Sequence, residues 1–265
     1  MINYSVLGSG SNGNAYAFCF NGKTILIDSG FSRIELIRRF EKSGLDFSTV
    51  CAVFVTHLHP DHCKGLGVLA RKDKLPIYVN QTTYEYCQSE YAKLGIPEDC
   101  RVIFEIGEII QIGDFEISSF RTSHDSTGSV GYTIRIDDKE FCLVTDTGVY
   151  SDEMVENAKK SNVLFLESNY DETMLKDGPY PYFLKQRVAG ERGHLSNKQA
   201  VDFLKNCDVV CDKGEVITLE ESSKIEKVYL IHLSKVNNNA QHLQETYNSK
   251  VTVCENGQLV KGNLV

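Results

Sequence analysis

Hydrophobic positions along the chain fall into short runs rather than long ones. Runs rich in Val, Ile, Phe and Tyr, often bounded by Gly or Asp, predict strands over 2–7, 15–20, 24–27, 50–56, 77–79, 115–120, 130–136 and 141–145. Two later runs predict strands over 163–167 and 228–232. Between them, mixed apolar and polar stretches predict helices over 32–42, 64–72, 82–93, 152–159 and 197–206. The last helix carries a start signal, since Ser196 can cap it and Gln199 completes a capping box. Early strands cluster as hairpins and later strands alternate with helices. That order predicts mixed sheets with helices outside, an α/β layered fold. The polar stretch 207–227 is ambiguous and reads as a surface insertion. No Pro/Gly/Ser-rich linker interrupts the 265 residues, so 1–265 is read as one domain.

Composition narrows the class. With 42% hydrophobic and 24% charged residues, 5 Pro and 20 Gly, the chain can bury a full core, which excludes disordered and collagen-like proteins. No run of about 18 apolar residues occurs, so no transmembrane helix and no membrane partner are expected. The first residues lack a basic region followed by a long apolar one, so no signal peptide is expected and the cytoplasm is the expected location. Lys and Arg number 28 against 36 Asp and Glu, a net charge of −8. A generic nucleic-acid coat protein would be basic, so any nucleic-acid contact has to be local. Nine scattered cysteines without a C-x-x-C pair argue for reduced thiols rather than a disulfide framework. Cys19, Cys51 and Cys142 sit in apolar runs and are expected in the core.

Histidine carries the chemistry. Three of the seven histidines, His57, His59 and His62, fall in T-H-L-H-P-D-H together with Asp61, directly after an apolar strand. On an extended strand end His57 and His59 point the same way. Pro60 keeps His59 extended, and a helix starting after it aims Asp61 and His62 at a neighbouring point. Two adjacent ligand sets suit two metal ions better than one. More ligands are then needed at strand ends. His124 in S-H-D, Asp146 in T-D-T-G and His232 in H-L-S each stand where an apolar strand gives way to small or polar residues. His242, inside a polar helical segment, reads as a surface residue.

HLHPDH resembles the H-x-H-x-D-H signature of metallo-β-lactamase-fold hydrolases, and His124, Asp146 and His232 match the remaining ligand motifs in order. GSGSNGN, SHD…GY, TDTG, LESNYD, GPYPYFLKQRVAG, GHLSN and HLSKVNN resemble the YycJ/WalJ (VicX) group. Those are cytoplasmic bacterial proteins similar to tRNA 3′-processing nucleases and regarded as 5′-to-3′ DNA exonucleases. The resemblance runs from residue 5 to about residue 240. It implies a four-layer αββα sandwich, the metallo-β-lactamase fold. It implies His57, His59 and His124 around one metal, Asp61, His62 and His232 around the other, and Asp146 bridging both. It also implies a catalytic Glu–His pair at Glu167 and His194.

Two divalent ions can share one hydroxide nucleophile and clamp a phosphate. Against the charges of Asp61 and Asp146 they leave the site positive even though the chain is acidic. Mixed imidazole and carboxylate ligation admits Zn, Mn or Fe. His194 could protonate the leaving oxygen while Glu167 fixes its orientation. Residues 176–198 hold Lys176, Lys185, Arg187, Arg192 and Lys198 against Asp177 and Glu191, with Tyr180, Tyr182 and Phe183 interleaved. Basic groups hold phosphates and aromatic rings stack on bases, with Lys185 and Arg187 as the favoured phosphate holders. The Gly-rich segment 8–14 reads as a tight turn with Ser11 and Asn12 near the substrate. Asn237 and Asn238 match the group's HLSxxNN pattern, with helix capping as the plain reading. The resulting expectation is a dinuclear metal-dependent phosphodiesterase acting on nucleic acid, with DNA and a 5′-to-3′ exonuclease implied by the resemblance. A hydrolase of small cyclic phosphodiesters and a metal-binding regulatory protein without turnover are the alternatives.

Overall fold

The computed structural model describes residues 1–213, 216–219, 223–247 and 250–265. Strands β1 (Ile2–Gly8), β2 (Ala15–Phe20), β3 (Lys23–Ile27), β4 (Val50–Phe54), β5 (Ile77–Asn80) and β6 (Arg101–Phe104) come first. They are followed by β7 (Ile110–Ile112), β8 (Phe115–Arg121), β9 (Val130–Ile136), β10 (Lys139–Val144) and β11 (Val163–Glu167). The last are β12 (Val210–Lys213), β13 (Val216–Leu219), β14 (Lys227–Ile231), β15 (Val251–Val253) and β16 (Val260–Leu264). The helices are α1 (Arg33–Ser43), α2 (Pro60–Cys63), α3 (Leu66–Asp73), α4 (Gln81–Tyr86) and α5 (Gln88–Leu94). They continue with α6 (Asp152–Lys160), α7 (Glu172–Asp177), α8 (Tyr182–Ala189), α9 (Asn197–Asn206) and α10 (Ala240–Glu245).

The chain forms two compact units. The first comprises Met1–Ser119, Ser126–Val130 and Gly257–Val265, and the second Phe120–Asp125 and Gly131–Asn256. The first unit holds a sheet ordered β16-β1-β2-β3-β4-β5-β6. Its β16, β1, β2 and β3 pair antiparallel, and β3 through β6 pair parallel. Leu36 and Phe40 of α1 and Leu66, Leu69 and Ala70 of α3 pack with Leu26, Val53 and Ile77 of the sheet. Ser32 caps α1, and Gly44 closes it in the left-handed conformation (φ 79°), a position that favours glycine.

In the second unit the strands run β15-β14-β11-β10-β9. β10, β11, β14 and β15 are parallel, and β9 is antiparallel to β10. Alternate residues Cys142 and Val144, Leu164 and Leu166, and Val228 and Leu230 share one core with Met154 and Ala158 of α6 and Phe203 and Leu204 of α9. The intervening residues Phe141, Leu143, Val163, Phe165 and Ile231 are buried as well. That is why these strands read as continuous apolar runs instead of alternating ones. Parallel strands present their C-terminal ends along one sheet edge, and the polar residues that follow those ends form the candidate site.

Expected and observed elements coincide at β2, β9, β11 and α9. The helix expected over 82–93 is two helices, joined at Cys87, whose φ of −116° leaves the helical region. Short β6, β7, β15 and β16, and helices α7, α8 and α10, escape the apolar pattern because each is brief and partly polar. Within 207–227, β12 and β13 pair antiparallel, and the surface-insertion reading otherwise falls in part outside the described residues. Cys142 is fully buried as expected, whereas Cys19 and Cys51 are half-buried, and all three thiols are free. Among the described residues no helix is long and apolar enough to cross a membrane.

The capping box at α9 is complete. Ser196 Oγ accepts from Gln199 N (3.2 Å), and Gln199 Oε1 accepts from Ser196 N (2.8 Å). Ser196→Ala is expected to destabilise the protein by about 1 kcal/mol. Denaturant unfolding of the two proteins measures this, and equal midpoints would show that the cap contributes nothing.

Candidate metal centre

In the first unit, HLHPDH leaves β4 and enters α2, with Pro60 at the first helical position. The segment is held from below by the β3–α1 connection. Ser29 N donates to His62 O (2.8 Å), and Gly65 N donates to Ser29 O (2.7 Å). Gly30 lies so close that a Cβ there would meet the Asp61 carbonyl oxygen at 1.7 Å. Only a glycine permits this approach.

The imidazoles are oriented by buried polar groups. Asp28 is fully buried, and its Oδ2 accepts from His62 Nδ1 (2.7 Å) and from the Thr56 hydroxyl (2.7 Å). Its Oδ1 accepts from Thr56 N (2.8 Å). Burial pushes the Asp28 carboxyl up, against the opposing pull of His62 and Thr56. Because the Thr56 hydroxyl donates to Asp28, its oxygen is left to accept from His57 Nδ1 (3.0 Å). Both Nδ1 atoms are thus engaged, and the Nε2 atoms of His57 and His62 are the ones presented.

These donors fit a metal ion. His57 Nε2 and His59 Nδ1 face each other at 3.0 Å. Two nitrogens sharing a tetrahedral ion at 2.0–2.1 Å would lie about 3.4 Å apart. His62 Nε2 and Asp61 Oδ2 are 3.6 Å apart, and the amide of buried Asn14 donates toward both, at 2.9 and 3.3 Å. Two acceptors already converging on one donor suit a cation. Ser11 and Asn12 are exposed in the same β1–β2 loop, and Asn14 of that loop reaches Asp61 and His62.

In the second unit, buried Asp146 follows β10 and His232 follows β14. His124 follows β8, and its Nδ1 donates to Gly193 O (3.0 Å). One oxygen, Asp146 Oδ1, lies 3.7 Å from His124 Nε2 and 3.5 Å from His232 Nε2. Ligand atoms of Asp146, Glu167, His194 and His232 all fall within 4.8 Å of one another. Burial depresses the His124 pKa and favours its neutral form, as a ligand requires.

Glu167, at the end of β11, is fully buried. Its Oε1 accepts from His194 Nδ1 (2.7 Å) and His232 Nδ1 (3.1 Å), and its Oε2 from Thr147 N (2.9 Å) and Leu195 N (3.3 Å). Burial alone would raise its pKa, but the facing His194 and the hydrogen bonds from His194 and His232 outweigh burial and hold it below the usual carboxylate range. Asn169 donates to the His232 carbonyl (2.7 Å) and fixes the backbone there. His194 follows Gly193, where a Cβ would meet the Val188 carbonyl oxygen at 2.2 Å.

Asp28, Asp146 and His232 all have positive φ, 61°, 53° and 58°. For non-glycine residues this backbone costs about 1–3 kcal/mol each and concentrates at functional sites. The sequence signals miss Asn14, Asp28, Thr56 and Asn169. Asn14 belongs to the Gly-rich loop, where Ser11 and Asn12 stand out instead, and Asn169 belongs to LESNYD. Asp28 and Thr56 precede turns in ways that read as ordinary strand ends.

The basic segment divides. Lys185 and Arg187 stand two apart on α8, a spacing that separates them around a helix. Lys185 Nζ donates to Lys176 O (2.6 Å), and Arg187 pairs with Asp125 (2.6 Å), next to His124. Asn238 donates to the carbonyls of Ser168 and Asn169 (2.9 and 3.0 Å), so it ties the β11 and β14 ends together instead of capping a helix. Asn239 caps α10, and His242 is exposed there as expected.

Residues 23–217 match the model of the Beta-lactamase superfamily domain. The chain is 37% identical over 237 residues to Exodeoxyribonuclease YycJ of Bacillus anthracis, a match covering 89% of this chain and 84% of that one. It is 34% identical over 235 residues to Exodeoxyribonuclease WalJ of Streptococcus pneumoniae, covering 89% and 82%. Among solved structures, the metallo-beta-lactamase fold protein YhfI of Bacillus subtilis matches with a TM-score of 0.71 at 18% identity, covering 98% of this chain and 99% of that one. The α/β class and the metallo-β-lactamase fold expected from the sequence are what these likenesses show.

Asp28 acts on the Nε2 of His62, the nitrogen available to a metal, through the far side of the ring. Asp28→Asn is expected to weaken divalent-metal affinity by roughly 10–100-fold, the usual effect of removing such a partner. Competition with a chromogenic chelator measures it, and an unchanged affinity would remove Asp28 from the support of His62.

Proposed function

The chain belongs to the beta-lactamase superfamily and, within it, to the YycJ/WalJ group, and from that premise we propose that it is a metal-dependent 5′-to-3′ exonuclease acting on DNA. The observation that carries this reading is Asp146 Oδ1, equidistant to within 0.2 Å from the Nε2 atoms of His124 and His232 (3.7 and 3.5 Å) beside the Glu167–His194 pair. A single oxygen shared between two imidazoles suits a bridging ligand, and a carboxylate-oriented histidine suits an acid. The alternative of a small cyclic phosphodiester as substrate lacks a use for the exposed basic and aromatic side chains of α8. We take the whole chain, 1–265, to act as one hydrolase domain in the cytoplasm.

The ligand assignment rests on the family motifs. His57, His59 and His124 would hold one divalent ion, Asp61, His62 and His232 the other, and Asp146 both. Zn, Mn and Fe all suit such ligands. Bound ions would supply activation of the attacking water and neutralisation of the scissile phosphate. The chain's own residues do the rest. Asp28 and Thr56 keep the imidazoles of His62 and His57 aimed by their Nε2 atoms. His194 Nδ1 donates to Glu167, which leaves His194 Nε2 to carry the proton for the departing oxygen. Lys185 and Arg187 hold backbone phosphates of the strand, and Ser11 and Asn12, exposed on their loop, extend the contact.

The test is turnover of the metal-loaded protein on 5′-phosphorylated DNA, RNA of the same sequence and a cyclic dinucleotide. DNA is expected to be degraded from its 5′ end, with Asp146→Ala inactive and depleted of at least one ion. Preference for the cyclic substrate, or an active Asp146→Ala, would overturn the reading.

His194→Ala is expected to retain its metal content and to lose about 10²–10⁴-fold in kcat, the range for loss of a general acid. Elemental analysis alongside kinetics distinguishes this from a ligand role, in which metal would be lost with the side chain.

A further inference from the structure

The second unit contains a cavity of about 520 Å3 between α7 and α8. Leu175 and Tyr170 form its apolar lining, Tyr182 stands at its side, and Lys176 and Lys185 carry positive charge at its rim against one carboxylate, Glu172. The volume lies within the range of small-molecule sites and exceeds what a single nucleobase needs. Its wall continues the catalytic elements. Tyr170 follows Glu167 by three residues, and α8 hands on to the proposed acid through a hydrogen bond from His194 N to Val188 O (2.9 Å).

Two features point to the occupant. Tyr182 is 74% exposed and Phe183 72% exposed, on a helix with no buried residue of its own. Aromatic side chains that fold against nothing are costly to expose and suit stacking on a flat π-face. The second feature is charge. Glu172 Oε1 already accepts from Ser196 Oγ (3.3 Å), and Lys185 spends one of its donors on Lys176 O. The Lys176 ammonium and the remaining Lys185 donors are left to hold an anion, in a protein whose net charge is −8. A flat base next to a phosphate meets both requirements.

We infer that this cavity is a nucleotide subsite, which takes one base of the DNA strand against Tyr182 and the adjoining phosphate between Lys176 and Lys185. The inference rests on the exonuclease reading and names where the strand is held outside the reacting phosphate. Tyr182 contributes by stacking, so its ring matters and its hydroxyl does not. The hydroxyl is occupied by Gln186 Nε2 (2.7 Å) on the helix surface. Tyr182 is a substrate-binding residue that sets KM, and the bond-breaking step proceeds without it.

The experiment uses the metal-loaded full chain with 5′-phosphorylated single-stranded DNA. Phosphorothioate-linked oligonucleotides carry 2-aminopurine, a base whose fluorescence falls on stacking, at successive positions from the 5′ end. The wild type is expected to quench the probe at one or two positions and not elsewhere. Tyr182→Ala abolishes that quench and raises KM on natural DNA about tenfold or more, as removal of one base–aromatic stack implies, with little change in kcat. Tyr182→Phe keeps both. The Lys176→Gln/Lys185→Gln variant lowers the log–log salt slope of binding by about 0.7, the amount for one single-strand phosphate that is no longer neutralised. If Tyr182→Ala quenches the probe and degrades DNA as the wild type does, the subsite is overturned while the exonuclease reading stands. If the wild type does not degrade DNA, both fall together.

Discussion

Glu167 is the buried charge on which the candidate site edge of the second unit depends. Four donors reach its two oxygens: His194 and His232 through Nδ1, and the backbone N–H groups of Thr147 and Leu195. A fully buried carboxylate without such partners would be neutralised or would unfold its surroundings. Satisfied this way, it fixes three loops at once: the one after β10 that carries Asp146, the one before α9 that carries His194, and the one after β14 that carries His232. Loss of any donor leaves a buried charge short of a partner, so these loops are positioned as a set. Asp28 has the same function in the first unit, joining β3 to the histidine segment through Thr56 and His62.

Glu167 also revises the charge balance of the proposed centre. Asp61 and Asp146 alone would leave two divalent ions with excess positive charge. Counting Glu167, which is held below the usual carboxylate range, reduces that excess. Attraction of a polyanion by an acidic chain then depends on side chains farther out. Arg187 is held by Asp125, and Arg192 donates to the His124 carbonyl (3.1 Å), so in the proposed reading Lys176 and Lys185 would carry the larger share. Electrostatic attraction of this kind is local and screened by salt within about 8–10 Å.

Much of the architecture is legible in the sequence because it rests on burial. Strands sandwiched on both faces give uninterrupted apolar runs, and the runs delimit β9 and β11 to the residue. Candidate ligands at strand ends are legible because histidine and aspartate are conspicuous where such runs stop. Asp28 follows a strand in the same way and escapes notice, since nothing in D-S-G separates a carboxylate that orients an imidazole from one that begins a turn. The positive φ at Asp28, Asp146 and His232 is invisible in a sequence. The 2.7 Å hydrogen bond from His62 to Asp28 joins residues 34 apart, and only the pairing of β3 with β4 brings them together. Short α7 and α8 escape for the opposite reason. They bury little, so no apolar stripe marks them.

That difference in burial divides the labour in the second unit. Asp146, Glu167 and His232 leave strands whose flanking residues are fully buried, and two of the three accept strained backbone to present their side chains. Strain of a few kcal/mol persists only where surrounding packing leaves no alternative conformation, which a parallel sheet with both faces covered provides. Helix α8 has no buried residue and sits between two glycine- or proline-rich connections, 178–181 and 190–193. Residues there can change without disturbing the sheet. Groups that must hold donor atoms to a fraction of an ångström therefore stand on the rigid edge, and the groups proposed to meet a long, flexible substrate stand on the exposed helix. By this logic, if the proposed function holds, substitutions on α8 would alter which strand is held and how tightly, while those at the strand ends would alter whether the bond is broken at all.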